Sequence, residues 1–564
     1  MARARRKRKP EVAAPVPVPE VPVTLPDDPY AEFADHDWGF AWPLDAEPEV
    51  VDERALHAVV KQWRHGRATR SVWDVLNDAY IAIFSVVMIG AMVINVIVTS
   101  QNASSACETA ACLNGRMLVP WGLYFGLSAL VVSSARLFGP VLASSAEGFW
   151  LLGAPISRRP VLVRRLWAPL AGAALVAAAL TATVTGIAGE PLTVVLAWSA
   201  ASGLTASGLV AWAAWEQSHD RVRALRVLQA VLAAAAAVTL LLMIAVAVGM
   251  IHIDPPAWLG VVPWVLAAAG AVAALAFAIG AHRRLEDFSQ VRLTSGGSLV
   301  SGLQGAMFAL DLGLARDILV DREAIARGHV HPVRGRGTGA RAVMWREAQR
   351  LVRFPRPLLG LAGAALAPYA SDAIGLAVAT PFIAAVALMV ALIPTLGTLR
   401  VLSRTRGLAR TFPMTTGDLR VACTAVPAAL AVVWAAATVP AFAGVVSGTP
   451  RDIGIAAAMA LACAMAGLGA AVRWQNAKQV DFGVPMMATG AGALPPTLVF
   501  NLVRGFDVAA LVTAPLLLGA TPLWSLGIGV AVLTFMRAGI NWDELSEEAK
   551  ENRNELEAVK ARRR

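Results

Sequence analysis

The sequence predicts an all-α, polytopic integral membrane protein with about 12 transmembrane helices in two parallel six-helix halves. Apolar runs of about 17–23 residues, the length of a helix that crosses the hydrocarbon core, recur along the chain. Only 16% of its 564 residues are charged, against about 25% in soluble domains. Most of the charges lie between the apolar runs, and the order of the segments repeats once along the chain.

The first 52 residues contain no apolar run. They begin with the basic segment MARARRKRKP and continue with residues rich in Pro, Val and acidic side chains. This composition buries too little apolar surface to fold, and no apolar stretch follows closely enough for a signal peptide. We expect residues 1–52 to be a disordered, basic and Pro-rich cytoplasmic tail.

Residues 53–282 form the first predicted half. It starts with an interfacial helix, because apolar residues recur at helical spacing between basic ones, at Leu56, Val59, Val60 and Trp63. Six apolar spans follow, near residues 79–98, 117–134, 167–188, 192–214, 228–250 and 259–281.

Residues 283–340 are predicted to be a cytoplasmic linker with a surface helix and a Gly/Arg-rich segment. Residues 341–540 then repeat the order of the first half. An interfacial helix has Met344, Ala348 and Leu351 on one face. Six spans follow, near residues 357–371, 374–396, 421–444, 453–472, 497–519 and 521–537. Residues 541–564 predict a charged cytoplasmic helix.

Arginine and lysine are concentrated in alternate loops. One set of loops contains most of the arginines and lysines. It includes the loop with Arg158 and Arg159 and the loop with Arg400 and Arg404. The loops of the other set contain mainly acidic residues. The positive-inside rule therefore places the basic loops and both termini in the cytoplasm.

The four cysteines fit this orientation. Cys107 and Cys112 lie in the first external loop, where we predict a short disulfide, with two free thiols as the alternative. Cys423 and Cys463 fall within spans and are expected to be small apolar packing residues.

In each half, one basic cytoplasmic loop precedes the third span. Each places a proline, an apolar residue and a hydroxyl residue in a row, at Pro155–Ser157 and at Pro413–Thr415. The proline stops a preceding helix, and the hydroxyl of Ser157 or Thr415 caps the helix that follows. A short capped element beside Arg158 and Arg159 suits docking on a partner protein.

The sequence lacks motifs for catalysis. No segment matches G-x-x-x-x-G-K-[ST] or H-E-x-x-H, so we expect no enzymatic activity, no bound cofactor and no metal site. The net charge of +10 does not indicate a nucleic-acid partner, because the arginines recur beside spans and form no single basic face. The spans are also nearly free of the ionisable residues on which ion-coupled pumps depend. A partner ATPase is therefore the simplest energy source for a transporter of this kind.

The loop GAPISRRPVLVRRL resembles the L-P-[VI]-S-R-R loop of bacterial ATP-binding-cassette exporter permeases. The segments LTSGG…LD…R in the linker and GALPP…RGFD late in the second half are similar to those of an actinobacterial group of duplicated permeases. The resemblance covers roughly residues 55–540. It implies export of a substrate across the bacterial inner (cytoplasmic) membrane, powered by a separate ATP-binding-cassette ATPase. Pro155, Ser157, Arg158, Arg159, Pro413 and Thr415 are then the ATPase-coupling residues, although PMTTGD in the second half lacks both arginines.

Two other functions are compatible with the same patterns. One is a secondary transporter or lipid flippase that uses no ATP, and the other is a membrane scaffold for an assembly or secretion machine.

Overall fold

The computed structural model describes residues 114–153, 157–252, 256–308, 312–328, 333–373, 376–405, 411–446, 450–476, 487–489, 492–494 and 503–538, with single positions elsewhere. The helices described below belong to the unit Arg70–Arg564. Outside these ranges lie the terminal segments 1–52 and 539–564, most of the first predicted span, Pro155, Cys107 and Cys112.

The architecture is all-α, as predicted. Within the described ranges, the first half contains six helices: α1 Val119–Phe138, α2 Ser145–Trp150, α3 Arg159–Ile187, α4 Leu192–Ser218, α5 Arg223–Ala247 and α6 Val262–Arg283. Two linker helices follow, α7 Gln290–Phe308 and α8 Leu312–Arg327. The second half contains α9 Ala340–Arg353, α10 Arg356–Ala373, α11 Thr380–Leu392, α12 Gly397–Arg404, α13 Thr416–Phe442, α14 Ile453–Gln475, α15 Phe506–Leu517 and α16 Pro522–Ala538.

Three short elements complete the description. The 3-10 turns Ala257–Val261 and Ile393–Leu396 lead into α6 and α12, respectively. Two three-residue strands, β1 Met487–Thr489 and β2 Gly492–Leu494, pair antiparallel between α14 and α15.

Eight helical segments among the described residues are long and apolar enough to cross a membrane. Their large apolar side chains face outward, for example Leu175 and Val272, which are 72% and 67% exposed. An apolar surface of this extent requires a lipid environment, and only helices satisfy every backbone hydrogen bond there. The chain is a multi-pass membrane protein.

Four of the twelve predicted spans are not among these eight segments. Residues 79–98 lie mostly outside the described ranges, and α10, α15 and α16 occupy the other three predicted positions. Helix α15 has only 12 residues, about 18 Å of rise, which is shorter than the hydrocarbon core of about 30 Å. The count of twelve therefore stays a prediction.

Several boundaries differ from those predicted. Helix α3 begins at Arg159, eight residues before the predicted span, because Pro160 in its first turn starts a helix well. The second span of the second half is divided into α11, a 3-10 turn and α12, and Pro394 lies in that turn. Arg400 and Arg404 consequently belong to a helix and not to a loop.

The two halves share one packing pattern. The fourth span of each half, α4 or α14, packs against the second, third and sixth spans, and the second span packs against the fifth. Accordingly, 50% of the apolar stretch of α4 and 67% of that of α14 are buried. These four pairs of helices meet in both halves, as a duplicated chain would produce.

Small residues allow the closest of these contacts. A Cβ on Gly270 of α6 would lie 2.6 Å from the backbone nitrogen of Thr205 in α4, and a Cβ on Gly208 would lie 2.9 Å from the carbonyl oxygen of Gly270. Backbone contact of this kind is the usual basis of helix association in lipid. Cys423 and Cys463 are buried in the core of the second half, as the prediction of a packing role requires.

An ion pair joins the ends of two neighbouring helices. Asp507, at the start of α15, accepts a 2.7 Å hydrogen bond from Arg473 Nε at the end of α14. The pair holds the C-terminal end of α14 beside the first turn of α15.

Candidate functional site

The loop between α1 and α3 contains the short helix α2, which has a complete capping box. Ser144 Oγ accepts a hydrogen bond from the Glu147 backbone N–H, and Glu147 Oε2 accepts one from the Ser144 backbone N–H at 3.0 Å. This reciprocal arrangement satisfies two donors that a helix start otherwise leaves unpaired. The start of α2 is therefore fixed by its own sequence, S-x-x-E.

A second set of contacts fixes α2 to a membrane span. Arg165, in α3, forms an ion pair with Glu147 and donates a 2.8 Å hydrogen bond to the Leu142 carbonyl oxygen. Burial raises the pKa of Glu147, but the hydrogen bonds from Arg165 and Ser144 outweigh it and hold that pKa below its ordinary value. Helix α2 is therefore tied to α3 by an ion pair and a hydrogen bond.

Helix α2 presents two aromatic side chains to the exterior. Phe149 and Trp150 are each 73% exposed, and their rings meet nearly perpendicular at 5.1 Å between centroids. Leu152, two residues later, is buried at 1% exposure. Exposed aromatic rings on a membrane protein suit either docking on a partner protein or contact with the membrane interface. The prediction from sequence concentrated on the arginines of this loop and did not include the two aromatic residues.

The arginines of the predicted docking loop have partners within the chain. Arg158 donates a 3.0 Å hydrogen bond to the Leu152 carbonyl oxygen, and Arg159 forms a half-exposed ion pair with Glu286 at 3.1 Å. Arg158, and not Ser157, occupies the N-cap position of α3, without a side-chain cap. These residues shape the loop and connect it to the linker.

The equivalent loop of the second half differs. Thr415 caps α13 as predicted, because its hydroxyl accepts a 3.1 Å hydrogen bond from the Asp418 backbone N–H. Phe412 and Met414, on either side of Pro413, pack against the core. This loop is therefore folded onto its own half, whereas the loop of the first half projects an aromatic pair.

The two linker helices contact both regions. Helix α7 packs on α1 and α2, and Gln290 Nε2 donates a 2.5 Å hydrogen bond to the Gly148 carbonyl oxygen. Helix α8 contacts α12 through Asp317, which accepts hydrogen bonds from Arg400 Nε at 2.8 Å and Arg404 Nη1 at 3.1 Å. The linker therefore connects the loop between α1 and α3, the α2 loop, to the end of the second span of the second half.

The glycine pair of the LTSGG segment lies where α7 crosses the chain between α1 and α2. A Cβ on Gly296 would lie 2.0 Å from the Phe138 carbonyl oxygen, and one on Gly297 would lie 1.8 Å from that of Ala143. Both distances are below any possible contact, so only glycine fits at these positions.

A large cavity, called the basic cavity below, lies between the second half and the linker. It measures about 1400 Å³ and is bordered by α8, α9, α10, α11, α12 and one residue of α13. Six arginines and two carboxylates line its polar end, an excess of four positive charges: Arg316, Arg350, Arg353, Arg356, Arg400, Arg404, Asp317 and Glu347.

Arg400 is the most buried of these arginines. Its side chain is 3% exposed, and its Nε is paired with Asp317. Its terminal atoms Nη1 and Nη2 are buried without a hydrogen-bond partner among the described residues. Buried charged donors in this state are costly, and they are satisfied by oxygen atoms of an anionic ligand.

Other groups keep the arginines in place. Arg350 forms an ion pair with Glu347 at 2.9 Å and donates a hydrogen bond to Thr398 Oγ1 at 3.2 Å. Burial lowers the pKa of the Arg316 guanidinium, Asp317 opposes that effect, and Arg400 and Arg350 add to it. Arginine still remains protonated in such surroundings. Helix α9, expected at the membrane interface, therefore turns Arg350 and the buried Glu347 toward the protein.

Most of the remaining residues that line the cavity are apolar. Gly360, Gly363 and Ala367 line it from α10, and Ala387 and Val390 line it from α11. A Cβ on Gly360 or Gly363 would meet nothing within 4 Å. The small side chains of α10 therefore leave the space open.

A second cavity of about 320 Å³ lies where the halves meet. It is lined by Leu118, directly before α1, and by Gly122 of α1, Met243 of α5 and Ala370 of α10. Ala367 borders both cavities. Helix α10 thus runs alongside both of them.

Within the parts of the chain that the structure describes, no group of three or more His, Cys, Asp or Glu side chains is placed to hold a metal ion. The site is consequently built from arginine, aromatic and small apolar residues.

Comparison with known proteins gives one match. Residues 112–485, that is 374 of the 564 residues, match a family of unknown function, DUF6297. No curated protein matches the chain. No solved structure matches it either. The matched region begins shortly before α1 and ends after α14, and so includes the α2 loop, both linker helices and the basic cavity. Since the match covers more than half of the chain, this protein belongs to the DUF6297 family.

Proposed function

We propose that this chain is the permease subunit of an ATP-driven exporter in a bacterial cytoplasmic membrane, powered by a separately encoded ATPase. The observation that supports this best is α2, a capped helix that is fixed to the span α3 and displays Phe149 and Trp150. The sequence contains no phosphate-binding loop, so the proposal assigns the ATPase to a partner subunit.

The geometry of α2 suits force transfer. Its N-terminal end is held by the capping box and by Arg165, and α7 packs on it through the hydrogen bond from Gln290 to the Gly148 carbonyl oxygen. An ATPase that binds Phe149 and Trp150 would therefore move α3 and α7 together. The second-half loop has its apolar residues turned inward, so the proposal assigns the principal ATPase contact to the first half.

Removal of the aromatic pair tests this proposal. We expect Phe149→Ala with Trp150→Ala to reduce co-purification of the co-expressed cognate ATPase at least tenfold, because buried aromatic anchors typically contribute about 2 kcal/mol or more each. Insertion should be unchanged, because both side chains are largely exposed. Pull-down from detergent-solubilised membranes measures the capture of the ATPase.

Trp258→Ala with Trp264→Ala is the matched control, since these residues are 64% and 55% exposed at the start of α6. The proposed orientation places them on the external side. Undiminished capture by the α2 variant, or equal loss in both variants, would rule out α2 as the docking element. A chain that captures no ATPase at all would favour an ATP-independent transporter or a scaffold.

The proposed orientation has both termini in the cytoplasm and is tested separately. Cysteines introduced one at a time at Pro160 and Thr405, in a chain with Cys107→Ser, Cys112→Ser, Cys423→Ala and Cys463→Ala, should resist an impermeant maleimide in intact cells and react after lysis. Both positions are exposed, so the difference reports the side of the membrane. Reaction of either cysteine in intact cells would reverse the topology.

A further inference from the structure

We propose that the cavity between the second half and the linker binds an anionic amphiphile, with its acidic headgroup on the arginine cluster and its hydrocarbon chain along α10 and α11. As an assignment of cargo, this inference rests on the proposed function. As a binding site, it stands on the geometry of the cavity alone.

The first argument is electrostatic. The two carboxylates at the polar end are both engaged, Asp317 by Arg400 and Arg404, and Glu347 by Arg350. Four positive charges therefore remain in excess around the cavity. Arginine presents planar donor pairs that match phosphate and carboxylate oxygens, so this excess favours an anionic ligand.

The second argument concerns Arg400. Both of its terminal nitrogens are buried without a partner among the described residues, and Arg400 lines the cavity. Asp317 holds only Nε, and this contact fixes the guanidinium while leaving the terminal N–H groups for a ligand. An acidic headgroup satisfies them, and a neutral apolar cargo does not.

The third argument concerns size and polarity. A cavity of about 1400 Å³ is larger than the usual range of about 300–1000 Å³ for small-molecule sites, and far too large for a free phosphate ion. Apart from the charged residues, its walls are formed mainly by Gly, Ala, Val, Pro, Leu and Phe, with three Thr residues. Such walls accommodate hydrocarbon, and so the molecule that fills the cavity carries a chain as well as an acid.

The fourth argument is the course of α10. Its 18 residues span about 27 Å, nearly the thickness of the hydrocarbon core. The helix borders the basic cavity from Arg356 to Ala367 and the second cavity from Ala367 to Ser371. An amphiphile that enters at the arginines therefore has a continuous small-residue surface leading toward the junction of the halves.

The test measures lipid binding to the full-length protein, purified in neutral detergent without any ATPase. Dioleoylphosphatidylglycerol is the anionic probe, dioleoylphosphatidylcholine is the zwitterionic probe, and inorganic phosphate is the competitor. Native mass spectrometry counts the lipids retained. Wild-type protein should retain the anionic lipid at least tenfold more strongly than the zwitterionic one, and millimolar phosphate should displace little of it.

Two variants address the two ends of the site. Arg400→Gln removes the charge at the headgroup end, and Gly363→Leu fills the hydrocarbon end, where a Cβ meets nothing within 4 Å. Each should weaken retention of the anionic lipid about tenfold, as expected for loss of charge-assisted hydrogen bonds or of chain contacts. Gly172→Leu is the matched control, because Gly172 is equally open, lies in α3 and borders neither cavity described here.

The outcomes separate the alternatives. Equal retention by wild type, Arg400→Gln and Gly363→Leu would overturn the site. Full displacement by phosphate together with wild-type retention by Gly363→Leu would show a free-anion site and overturn the amphiphile. Should Arg400→Gln unfold, Gly363→Leu alone decides, because it leaves every charge in place. No ATPase is present, so this result is independent of capture by α2.

Discussion

Substitution of Gly297 by alanine is expected to remove most of the folded protein from the membrane. The added Cβ would lie 1.8 Å from the Ala143 carbonyl oxygen and 2.7 Å from its carbonyl carbon. These are backbone atoms, so no side-chain rotation relieves the overlap. Overpacking costs about 1–3 kcal/mol and occasionally more, and an overlap with backbone atoms lies at the upper end of that range, a large fraction of the stability of a typical domain.

The loop that meets Gly297 has little freedom to move away. The Gln217 side chain accepts a 3.2 Å hydrogen bond from the Val141 backbone N–H and donates one of 3.1 Å to its carbonyl oxygen. The Ala143 backbone N–H also donates to the Leu293 carbonyl oxygen of α7 at 3.1 Å. A shift of the loop would therefore break contacts on both of its sides.

Gly305→Ala is the matched control for this prediction. Gly305 lies in the same helix, and a Cβ there meets nothing within 4 Å. This change should be neutral or slightly stabilising, by up to about 1 kcal/mol, because alanine favours a helix interior over glycine. Fluorescence-detected size exclusion of detergent extracts measures the folded fraction. Similar profiles for the two variants would show that α7 does not cross the loop as closely as described.

The membrane-spanning character was readable from the sequence because it depends on local composition. Runs such as Leu192–Ser218 and Ile453–Gln475 are apolar over more than 20 residues, and a bilayer admits few structures other than helices for such runs. The helix ends were less accurate. Helix α3 starts at Arg159, well before its apolar run. Pro160 favours a helix start at this position, and the basic residues that follow are part of the helix.

The site was only partly predictable. The sequence pattern predicted a docking element in the loop between α1 and α3, with Arg158 and Arg159 among its residues. In the structure Arg158 is hydrogen-bonded to the Leu152 carbonyl oxygen and Arg159 is paired with Glu286. The capping box at Ser144 and Glu147 was a readable S-x-x-E signal, and it would have placed α2. The exposure of Phe149 and Trp150 depends on how α7 covers the loop, which local sequence does not encode.

Long-range pairings were beyond the reach of the sequence. Asp317 and Arg400 are 83 positions apart, and the local sequence around neither residue indicates that the two pair. The basic cavity depends on this pairing, since α8 and α12 supply Arg316, Asp317 and Arg400 to the same wall. The Gly296–Gly297 pair likewise has meaning only beside residues 138–144, more than 150 positions earlier in the chain.

The second large effect is expected for Asp317→Asn. Arg400 is 3% exposed and Arg404 is 17% exposed, and both direct nitrogen atoms at the Asp317 carboxylate. Removal of one partner from a buried ion pair costs about 3–5 kcal/mol, because the remaining charge stays buried. Asp317 itself is 37% exposed, so solvent screening reduces the expected loss to about 2–3 kcal/mol.

The loss should be local to the linker before it is global. Asp317 is the residue through which α8 holds the end of α12, so its neutralisation should release α8 while α7 keeps its contacts with α2. Trypsin sites in α8, at Arg316 and Arg322, should then be cut several-fold faster in purified protein. Limited proteolysis followed by mass spectrometry measures both rates, and the thermal midpoint in detergent reports the overall loss.

Asp321→Asn provides the matched control, because Asp321 lies one helical turn further along α8 and is exposed. It should change neither the cleavage rate nor the thermal midpoint, whereas Asp317→Glu should restore part of both by returning the charge. If Asp317→Asn behaved like Asp321→Asn, the ion pair would not hold α8. A selective effect of Asp317→Asn would instead identify this carboxylate as the contact that connects the linker, and through α7 the α2 loop, to the wall of the basic cavity.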